Sequence, residues 1–344
     1  MGWFNKVGAF FYCLIYLMVG RRNLSSIHLA SKWICRKGDN MKKIELGKSG
    51  IQVTQLGLGC INFGTTVTAD NSFRLMDAYL EKGGNFFDTS NNYAFWNGGE
   101  GRDSEKTIGK WISSQGMRDK VILATKLGAI PLNGGKNFDD IQGNGRKVIL
   151  EEVEQSLETL RTNYIDLLYL HVDDFKTPLE ETMEALDEVV KSGKVRAIGC
   201  SNFDIWRVER ARVICEKYGY PFFSAIQQRF SYLEPAADAD FGVQRAVNKD
   251  LRDYIEYYKD LTMVSHTPLL YGLYHRGVID MEEYDTGVNR KKLEELKTKG
   301  KNLTPWILNY ITEQFGGSVV LFTTSSVEHL IENIEGVEAL AADK

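Results

Sequence analysis

The chain has 344 residues, 43% of them hydrophobic, so it is long enough to bury a large core as one α/β domain or two smaller ones. A formal net charge of −4 and an isoelectric point near 5.9 provide no basic surface for nucleic acid, which excludes a nucleic-acid-binding protein. The five cysteines lack CxxC or Cys/His ligand spacing, which argues against disulfides and zinc and favours a reduced, cytoplasmic setting.

Residues 1–40 differ in composition from the rest. Within them, residues 7–20 (VGAFFYCLIYLMVG) form an apolar run of 14, shorter than the ~20 residues that span a bilayer, and no small-residue cleavage site follows. We predict that Met41 is the natural start and that residues 1–40 are an unstructured or misassigned extension. The open alternative is a membrane-associating segment, whose flanking basic residues would keep the main domain in the cytoplasm. Membrane contact is expected only if residues 1–40 are real.

From Met41 onward, turn residues separate short apolar runs from longer amphipathic ones. Residues 43–46 and 51–54, joined by GKSG, predict a β-hairpin. Eight strands are then predicted at 55–59, 85–88, 121–126, 165–171, 195–200, 224–227, 263–265 and 318–322. The intervening helices are predicted at 71–81, 104–113, 146–160, 179–192, 205–218, 249–259, 304–314 and 327–334. The clearest helix is RKVILEEVEQSLETL, with Val148, Leu150, Val153, Leu157 and Leu160 at helical spacing.

Eight strand–helix repeats over about 300 residues favour a closed (β/α)₈ TIM barrel with an N-terminal β-hairpin over an open sheet. No Pro-, Gly- or Ser-rich linker divides residues 41–344, so they are predicted to form a single domain. The stretches 233–247 and 269–301 are predicted to be long loops after strands six and seven. In such barrels the active site lies at the carboxyl ends of the strands, on the face where these loops emerge.

Polar residues stand at the predicted strand ends. Asp88, Lys126 and His171 end the second, third and fourth strands, and Tyr93 follows the second strand closely. A barrel brings these ends to one mouth. Tyrosine has a pKa near 10, and a nearby lysine cation would lower it, while Asp88 would be the counter-ion of the buried lysine. With His171 donating to a carbonyl oxygen, the set suits reduction of an aldehyde or ketone by hydride.

Several segments resemble the aldo-keto reductase superfamily in order and approximate spacing. These are GLGCINFG, NFFDTSNNY, ILATK, SLETLRTNYIDLLYLH, GKVRAIGCSNF and IQQRFS, and the likeness covers residues 41–333. The resemblance implies a (β/α)₈ barrel that binds NADPH, less often NADH, without a Rossmann domain. It also implies a catalytic tetrad of Asp88, Tyr93, Lys126 and His171, with Tyr93 as the proton donor.

The same resemblance implies a set of cofactor contacts. Ser201, Asn202 and Gln227 are expected to hold the nicotinamide carboxamide. Apart from the resemblance, Phe95 and Trp96 stand on the loop just beyond Tyr93, where they are expected either to line an apolar substrate pocket or to pack the loop. The stretch SHTPLL replaces a pattern like Tyr-Ser-Pro-Leu, so His266 takes the place of the stacking tyrosine, with Thr267 and Leu269 beside the cofactor. A protonated His266 would lie beside a ring that becomes cationic on oxidation.

The segment after strand eight, LFTTSSVEHLIEN, contains no lysine or arginine for a 2′-phosphate. Thr324, Ser325 and Ser326 offer hydroxyls, His329 stands where a basic residue is common, and Glu332 and Asn333 match adenine contacts. Without a fixed cation we expect NADPH to lose part of its advantage over NADH. Only eleven residues follow Asn333, fewer than in the family's usual tail, so the pocket is either open or covered by the chain's own long loops.

The sequence therefore predicts an NAD(P)H-dependent carbonyl reductase acting on a small-molecule carbonyl substrate. The alternative is a nucleotide-sensing regulatory subunit of a membrane partner with little turnover, which the apolar run in residues 1–40 keeps open. A metal-dependent hydrolase is disfavoured, because none of the five histidines pairs with a second ligand at metal-binding spacing, so no metal site is predicted. The natural substrate and the oligomeric state are not determined by the sequence.

Overall fold

The computed structural model describes residues 41–93, 95, 99, 101–132, 138, 140–300 and 302–342. The predicted extension 1–40 lies outside the described residues, so its character and the domain boundary at Met41 stay predictions. No helix within the described residues is long and apolar enough to cross a membrane.

The predicted N-terminal hairpin is present. Strands β1 (Lys43–Glu45) and β2 (Gln52–Thr54) pair antiparallel, and the side chains of Leu46, Ile51 and Val53 are buried. These three belong to the same apolar cluster as side chains inside the barrel, so the hairpin closes the amino-terminal end of the barrel. At the turn, Gly47 has φ +54°, and a Cβ there would lie 2.5 Å from a backbone oxygen, so the close approach requires glycine.

Eight parallel strands form a closed barrel, which confirms the predicted fold. Each strand pairs with the next along the chain, and the last pairs with the first. The strands are β3 (Leu56–Gly59), β4 (Phe86–Asp88), β5 (Ile122–Leu127), β6 (Ile165–Leu170), β7 (Val195–Ser201), β8 (Ala225–Arg229), β9 (Thr262–His266) and β10 (Val319–Phe322).

The helices that follow the strands pack around the barrel, and the main apolar core lies between the two layers. They are α1 (Ala69–Glu81), α2 (Asp103–Gln115), α3 (Arg146–Leu160), α4 (Leu179–Lys191), α5 (Ile205–Tyr218), α6 (Lys249–Tyr258), α7 (Leu273–Arg276), α8 (Gly287–Lys297), α9 (Thr304–Thr312) and α10 (Val327–Ala342). In α3 the buried stripe is Ile149, Val153, Leu157 and Leu160, whereas Val148 and Leu150 are only half-buried. The predicted helix and most of its core face are therefore right, and the difference is confined to the first turn, where Ile149 is buried in place of Val148 and Leu150.

Two predictions about the carboxyl-terminal half are wrong. The stretch 269–301, predicted as a long loop, contains the short helix α7 and the eleven-residue helix α8. Helix α8 begins at a cap in which the Thr286 hydroxyl accepts from the Asn289 amide, and it buries Leu293 and Leu296. Most residues of α8 are charged or polar, so the sequence pattern did not indicate these two buried leucines. Helix α10 continues to Ala342, beyond the predicted end at 334, so the short tail is helical.

Candidate active site

The ends of the parallel strands bring the predicted polar residues to one mouth of the barrel. Asp88 is the last residue of β4, Lys126 is the last but one of β5, and His171 directly follows β6. Asp88 and Lys126 are almost completely buried, with 1% and 0% of their surfaces exposed. Charged groups so deep in a core need partners, because an unpaired buried charge is costly.

Lys126 is the centre of the site. Its ammonium group forms an ion pair with Asp88 and donates to the Tyr93 hydroxyl at 2.8 Å and to the Thr89 carbonyl at 2.9 Å. The Tyr93 hydroxyl donates to Asp88 Oδ1 over a longer 3.4 Å. All three hydrogens of the ammonium group are thus directed at oxygen atoms, and one of those atoms is the phenol oxygen of Tyr93.

The direction of the Tyr93 pKa differs from the prediction. Burial, followed by the negative charge of Asp88, raises the Tyr93 pKa well above its ordinary value, so the prediction that Lys126 lowers this pKa is wrong. Burial also lowers the pKa of Lys126, although Asp88 opposes that change. The phenol is therefore protonated at neutral pH, which leaves it with a proton to give.

His171 lies across the mouth from Tyr93. The two ring centroids are 5.9 Å apart with nearly perpendicular planes, and His171 Nδ1 lies 3.0 Å from the Ser90 hydroxyl oxygen. Burial, then the charge of Lys126 and the neighbouring His266, lowers the pKa of His171 well below its ordinary value. The imidazole is therefore neutral, and one of its nitrogens is an acceptor.

Three further predicted residues surround this group. Gln227 donates through Nε2 to Asp88 Oδ2 at 2.9 Å, and its main-chain carbonyl accepts from the Ser201 hydroxyl at 2.9 Å. Asn202 donates to the His171 carbonyl at 3.0 Å and adopts φ +58°, a left-handed conformation that asparagine tolerates. The structure thus links Ser201, Asn202 and Gln227 to the tetrad through hydrogen bonds.

His266 ends β9, beside Arg229 of β8 in the sheet. Burial, then the positive charges of Arg229 and Lys126, lowers the His266 pKa to about 3. The ring is therefore neutral, and the repulsion that a protonated His266 would exert on a cationic ring does not arise. Its Nδ1 lies 2.9 Å from the Thr267 hydroxyl, while its buried Nε2 has no hydrogen-bond partner among the described residues.

A cavity of about 650 Å³ opens at this mouth, and Asp88, Tyr93 and His171 line it. Six other predicted residues, on the strand ends and on the loop after β9, also line this cavity: Ser201, Asn202, Gln227, His266, Thr267 and Leu269. Phe95 is half-buried and is not among the described residues of the lining, and Trp96 lies outside the described residues. Their assignment to the substrate pocket stays a prediction.

Sequence reasoning missed part of the lining, namely Ile61, Asn62, Phe138 and Tyr271. Ile61 and Asn62 come soon after β3, so the strand-end argument applied to the first strand would have found them. Phe138 and Tyr271 belong to the connections that follow strands β5 and β9. Their positions at the mouth depend on the tertiary fold of these connections, which the local sequence does not indicate.

The predicted adenosine-side residues lie after β10, at the start of α10. Ser326 caps this helix, since its hydroxyl accepts from the His329 amide at 3.2 Å, and its carbonyl accepts from the Leu330 amide at 3.0 Å. Ser325 accepts through its carbonyl from Asn71 of α1 at 2.7 Å. His329 and Glu332 are exposed, Thr324 is half-exposed, and Asn333 is buried.

Helix α1 also brings a cation to this region, which the sequence reading missed. The pKa of Glu328 is lowered by a backbone hydrogen bond, by the hydrogen bond from the Ser326 hydroxyl and then by the charge of Arg74 on α1. The loop after β10 therefore has a positive and a negative side chain near it, although no lysine or arginine lies in the loop itself.

The lining fits a nicotinamide ring that bears a carboxamide. The mouth carries neutral amide and hydroxyl groups on Ser201, Asn202 and Gln227, which can pair with a carboxamide. His266 adds a flat, neutral ring and a buried Nε2 without a described partner, an atom that a polar ligand group would satisfy.

Comparison with known proteins gives concordant results. The family model described as Aldo/keto reductase family matches residues 55–344. Norsolorinic acid reductase stcV of Emericella nidulans is 39% identical over 192 residues, covering 53% of this chain and 48% of that protein. An uncharacterized oxidoreductase of Bacillus subtilis, YrpG, is 37% identical over 201 residues, covering 58% and 61%. In these matches the chain spans about half to three fifths of the curated relatives.

A solved structure shows the same fold. The aldo-keto reductase AKR11C1 from Bacillus halodurans, in its holo form, is 27% identical, with a TM-score of 0.66. The likeness covers 87% of this chain and 91% of that one.

Proposed function

The chain belongs to the aldo/keto reductase family, and from that premise we propose that it is an NAD(P)H-dependent reductase of aldehydes or ketones. The observation that carries the proposal is the position of Lys126 Nζ, ion-paired with Asp88 and 2.8 Å from the Tyr93 hydroxyl. This arrangement places a protonated phenol beside a cation in a cavity large enough for a small carbonyl compound. Members of the family use NAD(P)H.

In this proposal Tyr93 is the proton donor. When bound, the reduced nicotinamide supplies the hydride that reaches the carbonyl carbon. The Tyr93 hydroxyl, hydrogen-bonded to the carbonyl oxygen, gives its proton to that oxygen, so the product is an alcohol and Tyr93 is left as a phenolate. The Lys126 N–H that already points at the phenol oxygen stabilises this charge, and Asp88 keeps Lys126 protonated in its buried position.

The cofactor contacts are proposed on the same grounds. Ser201, Asn202 and Gln227 would hold the carboxamide, and His266, Thr267 and Leu269 would contact the nicotinamide ring. Their support is the cavity lining and the neutral state of His266. Farther along, the adenosine contacts are Thr324, Ser325, His329, Glu332 and Asn333 around the beginning of α10, where the amide groups of a helix N-terminus favour a phosphate.

For cofactor preference we propose dual use with a weakened advantage for NADPH. A 2′-phosphate at the beginning of α10 would meet the hydroxyls of Thr324 and Ser325, attraction from Arg74 and repulsion from Glu328. Both charged side chains are exposed to solvent, so screening weakens their effects and the two partly cancel. The NADPH and NADH dissociation constants are therefore expected to lie within about tenfold of each other.

No observation on the described residues favours the alternative of a regulatory subunit for a membrane partner. The segment that motivated it, residues 1–40, is outside them. The cytoplasmic location also stays a prediction.

The first test mixes the full-length protein with NADPH or NADH and 4-nitrobenzaldehyde, and follows the loss of reduced-nicotinamide absorbance together with formation of 4-nitrobenzyl alcohol. Oxidation that requires the aldehyde and yields one alcohol per cofactor supports the reductase. Binding of either cofactor without oxidation, across aldehydes and ketones of different size, supports the regulatory alternative. Binding of neither cofactor overturns the proposal.

A further inference from the structure

A second cavity, of about 790 Å³, lies between the connection from β8 to α6 and the helices α6 and α9. We call it the β8–α6 cavity. The connection lines most of it, and the start of α6 and Tyr310 of α9 complete the wall. Its volume lies within the range of ~300–1,000 Å³ that is typical of small-molecule sites. Gln244 lines both this cavity and the active-site cavity, so the two are neighbours.

Arg229, the last residue of β8, lines the β8–α6 cavity and is only 4% exposed. Its Nε and Nη2 donate to Gln244 Oε1 at 3.2 and 2.8 Å, and Nη2 also donates to the Tyr271 hydroxyl at 3.2 Å. Burial raises the pKa of Tyr284, and a hydrogen bond from Arg229 opposes that rise. The guanidinium carbon lies 4.3 Å from the centre of the Phe241 ring. Three of these four neighbours line the cavity, so the guanidinium group lies at its wall.

None of these neighbours of Arg229 is an anion. Among the described residues, no carboxylate lies within ion-pair distance of its guanidinium group, and its buried Nη1 has no hydrogen-bond partner. Arginine keeps its charge in proteins, and a buried charge without a counter-ion is costly. Neutral oxygens and an aromatic ring offset only part of that cost. An anion from outside the chain would supply the missing charge.

The Gln244 side chain shows where such an anion fits. A guanidinium group has only donors, so the atom that accepts from Nε and Nη2 must be the amide oxygen. These two nitrogens form one edge of the fork that pairs with two oxygens of a carboxylate or phosphate. Here a single neutral oxygen occupies that edge. Gln244 is half-exposed, so an entering oxyanion can displace its side chain.

The first turn of α6 adds positive potential to the same cavity. Asn248 caps this helix of ten residues, its side chain accepting from the Leu251 amide at 2.9 Å, and the amino-terminal end of a helix attracts anions. Arg252 is half-buried, and its guanidinium carbon lies 4.8 Å from the centres of the Phe230 and Phe315 rings. No carboxylate in the described part of the chain pairs with it. Two arginines without counter-ions and a helix N-terminus therefore line one cavity.

The other charged residues of the lining do not neutralise these two arginines. Its two carboxylates, Glu234 and Asp240, are exposed to solvent, and Glu234 pairs with Lys292 at 3.0 Å. The two remaining cations, Arg245 and Lys249, each pair with a carboxylate outside the lining. The uncompensated charge of the cavity is therefore positive, and it lies on the more buried side chains.

We propose that the β8–α6 cavity is a binding site for a phosphate group, carried by a small phosphate ester or present as the free ion. The phosphate oxygens accept from the fork of Arg229 in place of Gln244, and Arg252 and the amino-terminal end of α6 stabilise the charge. A phosphate group carries about −1.5 to −2 charges and three acceptor oxygens, enough for two arginines. The site does not depend on the proposed reduction of carbonyl compounds.

Binding is measured by titration calorimetry of the full-length protein without cofactor. The probes are inorganic phosphate and phenyl phosphate, and sodium chloride keeps the ionic strength constant. Dissociation constants in the millimolar range are expected for at least one probe. Tighter binding of phenyl phosphate identifies an ester as the ligand, whereas equal affinities identify the free ion. Binding of neither probe overturns the proposal.

Three arginine variants locate the site. Arg229→Gln is expected to weaken phosphate binding by at least about tenfold, and Arg252→Gln by about threefold or more. The matched control is Arg146→Gln, which removes the same charge from an exposed arginine that pairs with Glu188, and it is expected to change the affinity less than about twofold. Equal losses in all three variants would reduce the effect to net charge and overturn the proposal. Retention in Arg229→Gln with loss in Arg74→Ala would place the phosphate at the start of α10 and overturn it as well.

Gln244→Glu tests the same edge of Arg229 without removing a buried arginine. It keeps the side-chain size and puts a carboxylate where Oε1 now accepts, so the chain supplies its own counter-ion. The variant is expected to unfold at a higher urea concentration than the unchanged protein and to bind phosphate at least about tenfold more weakly. Gln244→Ala opens the same edge and is expected to keep phosphate binding. A Gln244→Glu protein that is no more stable and binds phosphate as before would refute the assignment of Arg229.

Discussion

Replacing Asp88 with asparagine removes the counter-ion of a lysine that is completely buried. In the Asp88→Asn protein, Lys126 must either remain charged without a partner or lose its proton. At pH 7 the second route costs about 1.36 kcal/mol for each of the roughly 3.4 pH units below an ordinary lysine pKa, or about 4.6 kcal/mol. That agrees with the roughly 3–5 kcal/mol measured for breaking buried ion pairs. We expect a loss of stability near this size at pH 7.

The same reasoning predicts a pH dependence with a definite sign. In the unchanged protein burial lowers the Lys126 pKa and Asp88 opposes that change, so removal of the Asp88 charge is expected to lower this pKa further. The unfolded variant then binds more protons than the folded one, and its stability rises with pH until the ordinary lysine pKa is reached. At pH 9.5 neutralisation costs only about 1.2 kcal/mol. The variant is therefore expected to recover about 3 kcal/mol relative to the unchanged protein between pH 7 and 9.5.

The assay is urea unfolding of the full-length protein at both pH values, with Asp260→Asn as the control. Asp260 pairs with Arg212, whose Nη1 and Nη2 donate to its two carboxylate oxygens at 2.8 Å. A guanidinium group does not lose its proton in this range, so the loss in the control is expected to be independent of pH. An Asp88→Asn loss that stays constant from pH 7 to 9.5 would refute the account of Lys126.

Three other predictions follow from the described contacts. Tyr93→Phe is expected to lower kcat by at least about a hundredfold and leave the cofactor dissociation constant within a few-fold, whereas Tyr257→Phe, at a tyrosine 80% exposed, should change neither; retained turnover would remove Tyr93 as proton donor. Arg74→Ala should weaken NADPH binding about two- to fivefold with NADH unchanged, and Glu328→Gln should do the opposite, as measured by fluorescence of the bound cofactor; equal effects on both cofactors would place the 2′-phosphate elsewhere. Gly199→Ala should lower stability in urea by about 1–3 kcal/mol, because its Cβ would lie 2.7 Å from a buried tyrosine ring and 2.8 Å from a backbone oxygen; an unchanged midpoint would mean that this part of the barrel interior yields easily.

The sequence by itself determined the barrel and the composition of its mouth. Eight short apolar runs alternating with amphipathic ones specify strands and helices, since the spacing of apolar residues along the chain indicates which side chains are buried. The residues that end those runs, Asp88, Lys126 and His171, needed only the rule that parallel strands bring their carboxyl ends together. Helix α8 was not predicted, because its two buried leucines are outnumbered by charged residues.

Only the tertiary structure decided the electrostatic and hydrogen-bond state of the site. The Tyr93 pKa is raised rather than lowered, because the phenol is buried and lies beside the charge of Asp88, and burial is a property of the whole fold. The hydrogen bonds beside His171 join Ser90, Asn92 and the Ala129 carbonyl, which lie on two separate loops. Local sequence gives the identity of such groups, whereas their distances, orientations and exposure to water arise only when distant segments pack together.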